Sequence, residues 1–206
     1  MPIKDQVKNY ARKLVEQRPA PAAARAMVAA RKALMQRFSD DGIVPNHPRW
    51  PLIIYRRAVR FSGEFAPAAV MDSLFEGNGW GRSWRDTIYD FVHYHSQVHE
   101  VLGVAQGEAE VEFGGVKGRR LRVAAGDVVI LPAGTGHRLL DASKDFLVVG
   151  AYPPKGTYDE CTDTRDHPDA TKRIARVGRP ASDPVYGKGG GITKLWTQRR
   201  KRAARP

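Results

Sequence analysis

His93-Tyr94-His95-Ser96-Gln97-Val98-His99-Glu100 is the stretch on which the reading of this chain turns. His93 and His95 are two apart in a run with strand character, so their side chains project from one face. Glu100 follows across the Ser96-Gln97 bend, and Gly107 stands seven residues beyond it, where a hairpin turn is needed. A second block, Gly126 and then Pro132-Ala133-Gly134-Thr135-Gly136-His137, brings one more imidazole after another set of turn residues. Imidazole and carboxylate are common donors for divalent transition metals. A pair of donors on one strand and single donors from its neighbours can converge inside a small barrel. The pattern therefore names His93, His95, Glu100 and His137 as a metal-ligand set. On an octahedral ion such a set leaves positions open for water, oxygen or substrate. His99 competes with His95 or Glu100 for the role, because spacing does not fix side-chain parity across the bend. Otherwise it faces outward or supports a ligand from behind.

Working outward, the chain from Trp84 reads as short strands separated by glycine turns: 86–95, 98–105, 107–113, 118–124, 127–131, 136–141 and 145–152. Such regular spacing argues an all-β sandwich or barrel. Pro153-Pro154 ends the last strand. Upstream, Pro51–Arg56 reads as a first strand and Pro67–Phe75 as a short helix with proline in its first turn. Further upstream the periodicity turns helical, over 4–17 and again over 22–38, where alanine is abundant. Beyond residue 155 the chain is polar, with Gly189-Gly190-Gly191 and a terminal Arg199-Arg200-Lys201-Arg202 cluster. It reads as an irregular arm with Leu195-Trp196 as an apolar anchor. The expected organisation is a basic helical extension over 1–40, a barrel over 41–160, and a basic, partly disordered C-terminal arm over 161–206.

Together the two motifs, His93-Tyr94-His95 through Glu100 to Gly107 and Gly126 through Pro132 to His137, resemble the two motifs of the cupin superfamily. Where the second motif usually carries Asn this chain has Asp141, and that Asn is not a ligand in the family. Asn78-Gly79-Trp80, Trp84-Arg85, His99 to Gly103 and Asp183 to Gly187 resemble the YjlB-like group of cupins, over most of 41–196. The resemblance implies a single jelly-roll barrel, a double-stranded β-helix. It also implies one divalent metal per chain, iron or manganese ahead of zinc, nickel or copper, and a homodimer. Within the superfamily, dioxygenases, isomerases, decarboxylases and epimerases are precedents. The resemblance thus implies a dioxygenase-like oxidoreductase, or an isomerase, acting on a small organic acid or a sugar-derived compound.

Residues in phase with the ligands are expected to line the cavity: Tyr89 and Phe91 before the first motif, Leu139 and Asp141 after the second. Trp80, Trp84 and Arg85 are expected at the mouth, where an arginine would favour an anionic substrate. His47 and His167 fall in loops and read as surface residues. Cys161, the single cysteine, lies among acids and reads as an inert thiol. One cysteine permits no intrachain disulfide, which suits a cytoplasmic protein.

The net charge of +12 is uneven: +6 over 1–40, −4 over 41–170 and +10 over 171–206. The section that carries the chemistry is mildly acidic, so nucleic acid is a partner only for the basic ends. No apolar run suits a membrane span or a signal-peptide core. Two further readings stay open beside the enzyme: a barrel that binds or senses a small ligand without chemistry, and a scaffold whose basic arms hold a polyanion.

Overall fold

The computed structural model describes residues 17–197. The expected helix over 4–17 and the Arg199–Arg202 cluster lie outside the described residues, apart from Gln17 itself. Among the described residues, nine strands make two antiparallel sheets: β1 (Leu34–Gln36), β2 (Leu52–Tyr55), β3 (Gly81–Asp86), β4 (Glu100–Gln106), β5 (Glu108–Phe113), β6 (Arg119–Ala124), β7 (Val128–Leu131), β8 (His137–Ala142) and β9 (Leu147–Tyr152). The larger sheet runs β1-β2-β7-β4-β9-β3 and the smaller β6-β5-β8. This is the all-β fold that the strand spacing predicts, in the jelly-roll form that the resemblance implies. Helix α1 (Pro21–Ala26), α2 (Pro67–Gly77), α3 (His167–Ile174) and α4 (Gly191–Leu195) complete the described elements, with a 3-10 turn at Thr164–Asp166.

The central strands of the large sheet are apolar on both faces because both faces are covered. One set of alternate residues, including Leu52, Ile54, Leu102, Val104, Val129, Leu131 and Val148, faces the barrel interior and meets Val111 and Phe113 of the small sheet. The other set, including Ile53, Tyr55, Val101, Ala105, Val128 and Ile130, packs outward on Met71, Leu74 and Phe75 of α2 and on Trp80 and Trp196. Gly103 in β4 lets α2 lie close, since a Cβ there would stand 2.7 Å from Phe75 Cζ. Gly126 takes φ +88° in the turn before β7, and a Cβ there would meet the Val59 carbonyl at 2.5 Å.

Three segments differ from expectation. Helix over 22–38 gives way to the six-residue α1 and then to β1, which pairs with β2 through Leu34↔Ile54 and Gln36↔Leu52. Val28 bridges Val59, and Ala29 N–H donates to Ala58 O at 2.8 Å. Backbone pairing with a ready sheet edge outweighs the modest helix preference of alanine. The expected strand over 86–95 divides: β3 stops at Asp86, and only single bridges follow, His93↔His137 and Tyr94↔Cys161.

The polar segment after 160 is better structured than its composition suggests. Trp196 is fully buried, stacks on Trp50 at 5.3 Å and donates from Nε1 to Pro51 O at 2.8 Å. The Tyr55 hydroxyl donates to buried Asp183 at 2.7 Å, and the other Asp183 oxygen accepts from Val185 N–H. Among the described residues no helix is long and apolar enough to cross a membrane.

Candidate metal centre

The segment 93–95 is held against the second motif by backbone hydrogen bonds. His93 N–H donates to His137 O at 3.3 Å, His137 N–H returns one to His93 O at 3.0 Å, and Gly134 N–H donates to His95 O at 2.7 Å. These bonds bring donors from two places in the chain together. The ring centroids of His93 and His137 lie 4.1 Å apart, those of His93 and His95 5.7 Å. One ligand atom from each of His93, His95 and His137 lies within 4.8 Å of the others. Glu100 opens β4 in phase with Leu102 and Val104, so it points into the barrel. Its Oε2 stands 3.3 Å from His95 Nε2 and 3.5 Å from His137 Nε2. All four side chains are buried.

The tautomers follow from the partners. His93 Nδ1 meets Phe91 O at 3.3 Å, His137 Nδ1 meets Thr135 O at 3.2 Å, and His95 Nδ1 meets Asp159 O. A carbonyl only accepts, so each Nδ1 carries the proton and each Nε2 keeps its lone pair. Ligating histidines are usually held this way. Glu100 Oε2 is buried and has no hydrogen-bond donor, although two imidazoles flank it. Three lone pairs and an unpartnered carboxylate oxygen around one point lack a cation, so the residues fit a metal ion.

Without an ion, the four groups hold their protons unevenly, His95 more tightly than His93 and His137, so a cation would take the place of the His95 Nε2 proton beside Glu100. Burial alone would raise the Glu100 carboxyl, but His95, then His137 and His93, bring it down to about 2. Burial, with His93 beside it, holds His137 down at about 3. Burial and His95 lower His93 as well. For His95, burial opposes protonation, but the Glu100 carboxylate and the Asp159 carbonyl raise it overall.

Around the four donors stand groups that spacing does not reveal. The Tyr152 hydroxyl accepts from Trp84 Nε1 at 2.9 Å and lies beside Glu100; burial, then that carboxylate, raises it. Tyr158 packs on His95 with centroids 4.9 Å apart and donates to Glu160 at 2.8 Å. Tyr152 continues the inward phase of β9, so alternation along that strand could have found it. Tyr158 and Asp159 lie more than sixty residues from His95 with no motif to mark them.

The residues expected at the cavity divide. Tyr89 lies edge-on to His93 at 5.1 Å and stacks on Phe91 at 4.8 Å; Phe91 itself is 44% exposed. Leu139 borders the interior cluster. Asp141 is exposed opposite Glu110, because a register irregularity between Glu110 and Val111 breaks the phase with His137. Arg85 is not at the mouth: it is buried on the outward face of β3 and paired with Asp72 of α2 at 2.7 Å.

His99 stands apart from the ligand group, on the opposite face of the chain from Glu100. Its Nδ1 accepts from Ala133 N–H at 2.8 Å and its Nε2 donates to Gly178 O at 3.1 Å, so neither nitrogen is free for a metal. His47 is buried rather than surface, stacked on Trp50 at 4.4 Å. His167 lies at the surface beside the Asp40 carboxylate at 2.8 Å.

Known proteins resemble this chain to different depths. A family model described as a cupin domain matches residues 89–149. The uncharacterised protein YjlB of Bacillus subtilis (strain 168) is 38% identical over 162 residues, covering 78% of this chain and 94% of that protein. Among solved structures, a TDP-fucose-3,4-ketoisomerase from Campylobacter jejuni aligns with TM-score 0.35 and 14% identity, over 45% of this chain and 73% of that one. An oxalate decarboxylase of Bacillus subtilis aligns with TM-score 0.34 and 18% identity, over 55% of this chain and 28% of that longer one. The motifs, the two-sheet barrel and the relationship to YjlB place this chain in the cupin family, among its YjlB-like members.

Proposed function

We propose that this protein binds one divalent transition metal, iron or manganese, on His93, His95, Glu100 and His137, and uses it as an enzyme. The reaction is a dioxygenase-like oxidation or an isomerisation of a small organic acid or sugar-derived compound. One observation carries the reading: ligand atoms of three buried imidazoles cluster within 4.8 Å of one another beside a buried carboxylate oxygen with no hydrogen-bond partner. A bound ion would supply Lewis acidity and open coordination positions for a substrate oxygen. The chain supplies the rest. Carbonyls at residues 91, 135 and 159 hold the imidazoles in the ligating tautomer. Glu100 supplies the one carboxylate of the set. Tyr152 accepts from Trp84, which turns its own proton toward Glu100. Tyr89 and Tyr158 flank His93 and His95 and narrow the space over them. Arg85 is committed to Asp72, so it is not the group that would meet an anionic substrate.

The test is elemental analysis of protein purified without an affinity tag or chelator, beside the His93→Ala/His95→Ala variant. About one iron or manganese per chain, lost in the variant, is the expected result. An oxygen-uptake and isomerisation screen against small acids and polyols follows. A protein that carries no metal and refuses it on titration leaves ligand binding or a scaffold role as the better account.

A further inference from the structure

The segment after Tyr158 meets the first motif through a single antiparallel bridge. Tyr94 N–H donates to Cys161 O at 3.1 Å, and Cys161 N–H returns a bond to Tyr94 O at 2.9 Å. Between those bonds and His95 sits Asp159, which makes two kinds of contact. Its backbone carbonyl accepts from His95 Nδ1–H. Its carboxylate reaches the bend that follows His95: Oδ1 accepts from Ser96 N–H at 2.8 Å and from Gln97 N–H at 3.1 Å, and Oδ2 accepts from the Ser96 hydroxyl. Arg173 of α3 closes the arrangement, donating from Nε to Ser96 Oγ at 2.6 Å with Asp159 Oδ2 4.0 Å away.

The bend at Ser96-Gln97 interrupts strand pairing and leaves two N–H groups without a ladder. Asp159 satisfies both, much as a capping carboxylate satisfies the first N–H groups of a helix. The same side chain thereby fixes where its own carbonyl lies relative to the His95 ring. That position matters because neutral imidazole has two tautomers. With the carbonyl in place, the proton stays on Nδ1. With the carbonyl displaced, the proton can move to Nε2, and a protonated Nε2 cannot bind a cation.

We propose that Asp159 is a positioning residue of the metal centre: its carboxylate clamps the bend after His95 so that its carbonyl holds His95 in the tautomer that leaves Nε2 free. The proposal rests on the metal-binding reading above. It adds a residue outside both motifs and a role distinct from ligation.

Two readouts test it, one of which needs no metal. In metal-free protein at alkaline pH, where His95 is neutral, ring nitrogen NMR of His95 should show a single Nδ1–H tautomer in the wild type. Asp159→Ala should show a mixture of tautomers, and Asp159→Asn, which still accepts at Oδ1, should resemble the wild type. In titrations with Mn(II), Asp159→Ala should bind about 10- to 100-fold more weakly, the range typical of lost outer contacts to a ligand. Asp159→Asn should stay within about threefold of the wild type.

If Asp159→Ala lowers only the melting temperature, with the His95 signal and Mn(II) affinity unchanged, the residue is structural and the proposal fails. If the wild type itself takes no Mn(II), the metal reading fails, and the His95 tautomer alone decides the proposal. Should Asp159→Ala not fold, Ser96→Ala and Arg173→Ala each remove one side of the clamp. Wild-type His95 signals in both would overturn the proposal, and a mixed tautomer in either would support it.

Discussion

Consecutive residues of one strand region, His99 and Glu100, lead into two buried histidine clusters that do opposite things. On the inner side, His93, His95 and His137 each give Nδ1–H to a carbonyl and keep a lone pair on Nε2. On the outer side, His99 spends both nitrogens on backbone partners within an aromatic stack of Trp50 and Trp196. His47 beside it accepts from Arg49 N–H and Trp50 N–H at Nδ1, so its proton lies on Nε2, where it has no hydrogen-bond partner. An unpartnered N–H repels a cation, whereas an unpartnered lone pair attracts one. Burial and the count of imidazoles do not separate a metal centre from a structural cluster; the direction of each hydrogen bond does.

The contrast is breakable, beginning with the largest effect. His137→Ala should lower metal affinity more than about 100-fold, read by competition with a chromogenic chelator. Trp196→Ala, on the outer side, should cost about 3–5 kcal/mol in chemical unfolding. Folded Trp196→Ala protein should still take up metal at the wild-type ratio. Adding metal at about a hundredfold over its Kd should contribute about 2.7 kcal/mol to wild-type stability. Scanning calorimetry should read this as a rise of about 5–10 °C, absent in His137→Ala.

The outer cluster also predicts a pH dependence. Burial, helped by His99 and Arg49, lowers His47 to about 3, and burial lowers His99 to about 4. Each ring binds its proton more weakly folded than unfolded, so below about pH 6.5 the unfolded chain takes up more protons. The contribution is complete above that pH and is lost as the pH falls toward 4, with a limiting slope of about 1.4 kcal/mol per pH unit for each ring. Urea unfolding of chelator-treated protein across pH 4–7 measures it, and His99→Gln should flatten the curve. The smallest effect completes the contrast: His99→Gln should leave metal affinity within about threefold of the wild type.

The clustering of His93, His95 and His137 could be read from spacing because a turn, a proline and a pair of residues two apart are local facts. The parity of His99 and Glu100 could not. Both faces of β4 are buried, Leu102 and Val104 inward and Val101 and Ala105 outward, so hydrophobic alternation leaves no mark. Alanine-rich 22–38 misleads in another way, since its local preference yields to pairing with β2, a partner sixteen or more residues on. Arg85 carries no sign that its partner is Asp72, because that pairing depends on where α2 crosses the sheet. Asp159 is the furthest from view: it acts through its position beside a bend whose sequence lies in the first motif.

The bridge from Cys161 to Tyr94 has a consequence for the order in which the proposed centre is made. Every donor lies between residues 93 and 137, whereas the carbonyl that steadies His95 lies at 159 and the tryptophan stacked behind β4 at 196. Domains form from the N-terminus forward as the chain emerges from the ribosome. A nascent chain therefore holds the four proposed donors before it has the residues that brace them.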